Sequence, residues 1–123
     1  MHSFFKDSQL DCEIEYKIQN QSKKRNCVLE LKVKKIIVRE VARNSFLEIR
    51  PYGQSSILLY IKNSEFNIEK NFQLTKDRTF SHKKRLIYYY QDEGRKKFLQ
   101  MDIEKHYIIL ILEFGKFIIK TKS

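Results

Sequence analysis

The residues best suited to chemistry lie between positions 83 and 100, where Lys83-Lys84-Arg85 precedes Tyr88-Tyr89-Tyr90 and Arg95-Lys96-Lys97 precedes Phe98. Rings that alternate with ammonium groups are what a single-stranded nucleic-acid site uses. Bases stack on the rings at roughly 1–3 kcal/mol each, and cations neutralise phosphates. The turn residues Asp92-Glu93-Gly94 suggest a hairpin with a three-residue loop and Gly94 in the left-handed position. That register pairs Gln91 with Arg95, Tyr90 with Lys96, Tyr89 with Lys97 and Tyr88 with Phe98, so Tyr88, Tyr90, Lys96 and Phe98 share one face. Packing accounts for the same residues. Tyr rings fill a core with hydroxyls at its rim, and lysine stems lie across them. The packing account outweighs the nucleic-acid one.

Two further basic clusters stand upstream, at Lys23-Lys24-Arg25 and Lys34-Lys35. The first reads as the tip of a hairpin, where it could touch phosphates or an acidic protein surface. A solvated loop is the alternative. The chain carries 25 Lys and Arg against 15 Asp and Glu, a formal net charge of +10 on 123 residues. A surplus of this size attracts nucleic acid, acidic protein or anionic lipid without choosing among them. An AT-rich coding bias toward Lys, Ile, Asn, Phe and Tyr is the alternative source for part of it.

Enzymatic constellations are missing. His2, His82 and His106 have no partner at metal-ligand spacing, which argues against zinc. Adjacent Ser81 and His82 fall on opposite sides of a strand. Three glycines in all leave no phosphate-cradling loop. Asp11, Glu13 and Glu15 line the outer face of a strand and offset nearby lysines. The expectation is a non-catalytic protein with no cofactor and no metal.

The elements that would position these residues are strands. Cys12, Ile14, Tyr16 and Ile18 alternate with polar neighbours, as do Cys27, Leu29, Leu31 and Val33, with a polar loop at 20–26 between them. Pairing 12–18 with 27–33 sets Ile18 opposite Cys27 and Cys12 opposite Val33, which leaves two buried thiols too distant to bond. The phase breaks at Lys35, as a β-bulge or strand, which Val and Ile favour, or as a short helix over 34–44. Phe46–Arg50 ends at the turn signal Pro51-Tyr52-Gly53, and Ile57–Ile61 is apolar on both faces, as in a strand covered on each side. Phe66, Ile68, Phe72 and Leu74 continue the alternation, with Lys70 the misfit. Strands over 86–90, 98–103, 107–114 and 117–119 complete the set.

Fifteen Ile, nine Phe and seven Tyr can build a core, so a folded chain is expected instead of a disordered one. The expected architecture is one basic domain over 1–123: an all-β sandwich or partly open barrel of about 8–10 short antiparallel strands. The Gly- and Phe-rich motif of an RNA-recognition sheet is missing. No apolar run is long enough for a transmembrane helix, and the N-terminus lacks a signal-peptide pattern. The protein is expected to be intracellular. Nucleus, cytoplasm and organelle are not distinguished. Two functions fit: a structural subunit that docks its basic face onto an acidic surface of a larger protein complex, or a direct binder of single-stranded nucleic acid. Anionic lipid comes third.

Overall fold

A computed structural model describes residues 8–40, 42, 44–76, 85–92, 95–102, 107–112 and 115–122; for 85–98 the description is confined to the backbone. Ten antiparallel strands follow one another: β1 (Ser8–Ile18), β2 (Gln21–Leu31), β3 (Ile36–Glu40), β4 (Ser45–Tyr52), β5 (Ser56–Asn63), β6 (Ile68–Lys76), β7 (Arg85–Asp92), β8 (Arg95–Asp102), β9 (Tyr107–Leu112) and β10 (Gly115–Thr121). Each strand pairs with its sequence neighbours, and β1 pairs with β10, so the sheet closes into an up-and-down barrel. The all-β expectation holds. The open choice between sandwich and barrel resolves as a barrel, and no helix occurs among the described residues.

Alternation decides what is inside. Cys12, Ile14, Tyr16 and Ile18 of β1, Leu47 and Ile49 of β4, and Ile57, Leu59 and Ile61 of β5 are buried in one core. Burial of each Ile, Leu or Phe is worth roughly 1.5–3 kcal/mol. The outward positions of β1 are Asp11, Glu13, Glu15 and Lys17, exposed or half-buried as expected. A barrel that is apolar within and charged without reverses the pattern of a membrane-spanning barrel. No helix is long and apolar enough to cross a membrane.

Several expected boundaries move. Gln19 and Asn20 both adopt the left-handed region, with φ of 54° and 63°, and make a two-residue turn between Ile18 and Gln21. Positive φ at both central residues is the signature of a type I′ hairpin turn. The expected loop at 20–26 is therefore the first half of β2, and Lys23-Lys24-Arg25 sits within a strand instead of at a tip. The register changes with it. Cys12 pairs with Cys27, their Cα atoms 5.1 Å apart, and the two form a disulfide. The expected pair of separate thiols is corrected by this shift, since the tight turn brings both cysteines level on the ladder.

The phase break at Lys35 is a turn, and the residues after it form strand β3, as their Val and Ile favour, instead of a bulge or a helix. Lys32 N–H donates to Lys35 O at 2.9 Å, closing a turn that reverses the chain into β3, where Ile36 pairs with Leu31. In β5, Leu59 and Ile61 are buried while outward Leu58 is 39% exposed. This strand is covered on one face, against expectation. The β7–β8 register also differs by one residue: Asp92 pairs with Arg95, Tyr90 with Lys97, Tyr89 with Phe98 and Tyr88 with Leu99. Two residues separate the strands, not three, and Tyr88 no longer stands opposite Phe98.

Closure rests on a close approach. Gly115 pairs with Ile18, and a Cβ built on Gly115 would lie 2.6 Å from Ile18 Cγ1 and 2.8 Å from Lys17 O. The backbone carbonyl cannot give way cheaply. Gly115→Ala is therefore expected to lower stability by about 1–3 kcal/mol, as overpacking does, read as a drop in the urea midpoint; an unchanged midpoint would show that this end of the barrel does not close so tightly. Reduction of the Cys12–Cys27 bridge, which spans a sequence separation of 15, is expected to cost at most about 3 kcal/mol. Comparing unfolding with and without reductant measures it.

Candidate functional site

At the end of the barrel where β1, β3 and β5 finish, the inward column turns from apolar to polar. On β2 the inward positions Leu31, Leu29 and Cys27 are followed by Arg25 and Lys23 at the same period of two, half-buried instead of exposed. On β3 and β5 the last inward residues are Glu40 and Asn63, both buried. Alternation thus forces basic and acidic side chains toward a common mouth.

They meet there. Arg25 Nη2 lies 3.0 Å from Glu65 Oε2, and Lys23 Nζ lies 2.6 Å from the same oxygen. Arg25 Nε stands 3.7 Å from Glu40 Oε1, an ion pair too long to be a hydrogen bond. Glu65 is carried by the β5–β6 turn, which is shaped by Asn67 at φ 54° and by Phe66 N–H donating to Asn63 Oδ1 at 3.0 Å. Next to Glu65, the Phe66 ring packs on Tyr16 with centroids 5.7 Å apart, and Tyr16 packs edge-on against Phe117 at 5.3 Å. Lys23 Nζ lies 5.7 Å from the Phe66 centroid. Two carboxylates, two cations and three packed rings line the mouth.

The electrostatics follow from burial. Desolvation pushes the Tyr16 phenol well above its ordinary value, and Glu40 and Glu65 push it further in the same direction. The hydroxyl stays protonated and hydrogen-bonds Asn63. A cavity beside it, lined by Tyr16, Glu40, Asn63 and Phe117 among others, has about 10 Å³, room for about one water. This is far below the size of a ligand pocket. Among the described residues, no group of three or more His, Cys, Asp or Glu side chains could hold a metal ion.

On the outer wall, Glu15, Glu30 and Glu48 are each matched by nearby donors or cations. Ser22 Oγ donates to Glu15 Oε2 at 2.9 Å, which holds that carboxyl below its usual range with help from Lys17, Lys24 and Lys120. Glu30 faces Arg39 Nε at 2.5 Å and Lys32 at 3.9 Å, while Glu48 faces Arg50 at 3.3 Å and Lys35 at 3.9 Å. Lys122 Nζ donates to Asn26 Oδ1.

The expected site residues are therefore dispersed. Lys24 is exposed on the outer wall while Lys23 and Arg25 are committed to Glu65. Arg95-Lys96-Lys97 begins β8, at the same end of the barrel, but β1, β10 and β9 lie between β2 and β8. Arg85, Tyr88 and Tyr90 occupy β7 and Phe98 occupies β8, their side chains outside the described set, and Lys83 and Lys84 fall outside the described residues. Glu40, Glu65, Tyr16 and Asn63 did not stand out in the sequence. The signal was present, because Lys23 and Arg25 keep the period of Cys27, Leu29 and Leu31 back into what reads as a loop.

Fold and mouth together define an up-and-down antiparallel β-barrel with one ionically latched end. No protein-family model, no curated protein and no solved structure matches the chain.

Tyr16 gives a pH prediction. Its folded pKa lies above the unfolded value of about 10, so its contribution is fully present below pH 10 and is lost as pH rises beyond it. Tyr16→Phe is expected to cost about 1 kcal/mol at neutral pH through the lost hydrogen bond and to flatten the alkaline decline. Urea midpoints of both proteins between pH 8 and about 11 check this, and parallel declines would refute the assignment.

Proposed function

We propose that this chain is a non-catalytic structural subunit that docks a basic outer surface onto an acidic face of a larger protein assembly. The observation that carries the reading is the partition of charge. The mouth is internally compensated, and Glu30 and Glu48 are each flanked by two cations, while Lys17, Lys24, Lys34 and Lys120 stand exposed on the outside. Lys17 even pairs directly with Lys116 across the closing ladder, an arrangement of like charges that is unfavourable by itself and that an anionic partner would relieve. Val33, Tyr52 and Leu58 add exposed apolar side chains, at 41%, 53% and 39%.

Residence inside the cell is the part of this reading that the Cys12–Cys27 bridge weighs against, because structural disulfides persist in oxidising compartments. Single-stranded nucleic acid is the competing partner, favoured by the register that sets Tyr90 opposite Lys97.

The test uses poly-L-glutamate and a single-stranded oligonucleotide as probes. Docking on acidic protein predicts binding to polyglutamate that weakens at least about tenfold between about 50 and 200 mM salt, and that drops on combined Lys17→Glu, Lys24→Glu and Lys120→Glu substitution. Preferential binding of the oligonucleotide, lost in Tyr88→Ala and Tyr90→Ala, would transfer the function to nucleic acid.

A further inference from the structure

Among the described residues, the exposed large apolar side chains are Val33, Tyr52 and Leu58, and the meander gathers them. Val33 lies in the turn between β2 and β3, at the end of the barrel where β3 and β5 begin, opposite the mouth. Tyr52 ends β4 there and pairs with Ser56 of β5. Leu58 follows two residues along β5, paired with Arg50. Since β3 and β4 separate the two turns, they stand about two strand spacings, or roughly 10 Å, apart.

Parity aims these side chains at solvent. Ile49 and Leu59 are buried in the core, so Arg50, Tyr52 and Leu58 take the outer face. Directly after Tyr52, Gly53 adopts φ of 69°, the left-handed conformation that lets the chain reverse there. Cations surround the group. Lys32, Lys34 and Lys35 flank Val33 in the turn. Lys35 and Arg50 share one carboxylate, Glu48, at 3.9 and 3.3 Å, and Lys32 lies 3.9 Å from Glu30. Lys34 is exposed. The four cations outnumber the two carboxylates that they meet.

We infer that this shoulder is a membrane-docking surface, which seats the barrel on a bilayer containing anionic lipid. Val33, Tyr52 and Leu58 enter at headgroup depth, while the lysine and arginine heads stay with the phosphates and their stems lie along the boundary. A lipid surface accepts apolar side chains from separate turns without a matching pocket, and it favours tyrosine at the headgroup level. Single-stranded nucleic acid needs rings for successive bases, whereas two of these three side chains are aliphatic. An apolar anchor combined with a basic patch is what stable peripheral binding takes. The shoulder is separate from Lys17, Lys24 and Lys120, whose substitution tests docking on acidic protein, so either reading can fail without the other.

The chain contains no Trp, so Val33→Trp and Tyr52→Trp each place a single fluorescent reporter on the shoulder, and Gln21→Trp places one at the mouth. The probes are vesicles of phosphatidylcholine alone and of phosphatidylcholine with roughly 30% phosphatidylserine. With the anionic vesicles, emission from positions 33 and 52 should move to the blue and resist an aqueous quencher, and emission from position 21 should not change. Phosphatidylcholine alone should shift none of them. The double substitution Tyr52→Asp and Leu58→Asp should weaken co-sedimentation with anionic vesicles at least about tenfold. Lys34→Glu, which reverses one charge, should weaken it about tenfold. Both variants should keep the urea midpoint, since all three positions are exposed. Binding without a blue shift would mean adsorption by net charge alone, and an equal shift at position 21 would mean that the shoulder is not the contact; either overturns the proposal. So does an absence of binding to the anionic vesicles. Polyglutamate or an oligonucleotide that shifts positions 33 and 52 where vesicles do not would give the shoulder to that partner instead.

Discussion

Closure between the first and last strands is the constraint on which the rest depends. Nine of the ten ladders join strands adjacent in sequence, whereas β1 with β10 joins residues 12–18 to residues 115–121. That pairing must recover the entropy of a loop nearly as long as the chain. It does so through a fully buried seam: Ile14 opposite Ile119 and Tyr16 opposite Phe117, with Gly115 letting the strand approach Ile18. Without it, the inward columns of every strand would face water. Because β1 is also tied to β2 by the Cys12–Cys27 bridge, the closing strand is held from both sides.

Period-two alternation carried most of the architecture. Cys12 to Ile18 and Cys27 to Leu31 read as half-buried strands, and they are. What the sequence hid was the turns, because they lack the residues that usually mark them. Gln19-Asn20 takes a conformation for which Asn-Gly is the usual signal, and the reversal between Lys32 and Lys35 contains no Gly, Pro, Asn or Asp. A turn misplaced by a few residues slides the register, and register is what pairs Cys12 with Cys27 instead of separating them. The same one-residue sensitivity moved Tyr88 from Phe98 to Leu99. Strand identity is local and legible, while register is a property of the pair and is not.

The mouth shows the related limit for charge. Lys23 and Arg25 read as a basic finger because sequence gives sign without direction. Direction comes from parity, and once β2 begins at Gln21 these two residues belong to the inward column. There they face Glu40 and Glu65, which lie 15 and 40 residues further along from Arg25. Partners that distant are brought together by the meander alone. Basic composition therefore overstated the charge available outside, and the surplus that matters is the part that topology leaves uncompensated.

Lys70 is where that distinction has most consequence. An inward-pointing lysine is one of the ways β proteins discourage edge-to-edge pairing, and Lys70, level with buried Ile61, has that parity on β6. The device is not neutral toward every partner. A strand with an apolar residue opposite Lys70 must desolvate the ammonium without compensation, and a strand with a cation there adds repulsion. A carboxylate at that position turns the same group into an attractive pair. Specificity is a difference of affinities, and a charge that penalises most occupants selects the few that neutralise it. The residue that breaks the alternation of β6 thus penalises most strands that could pair beside it.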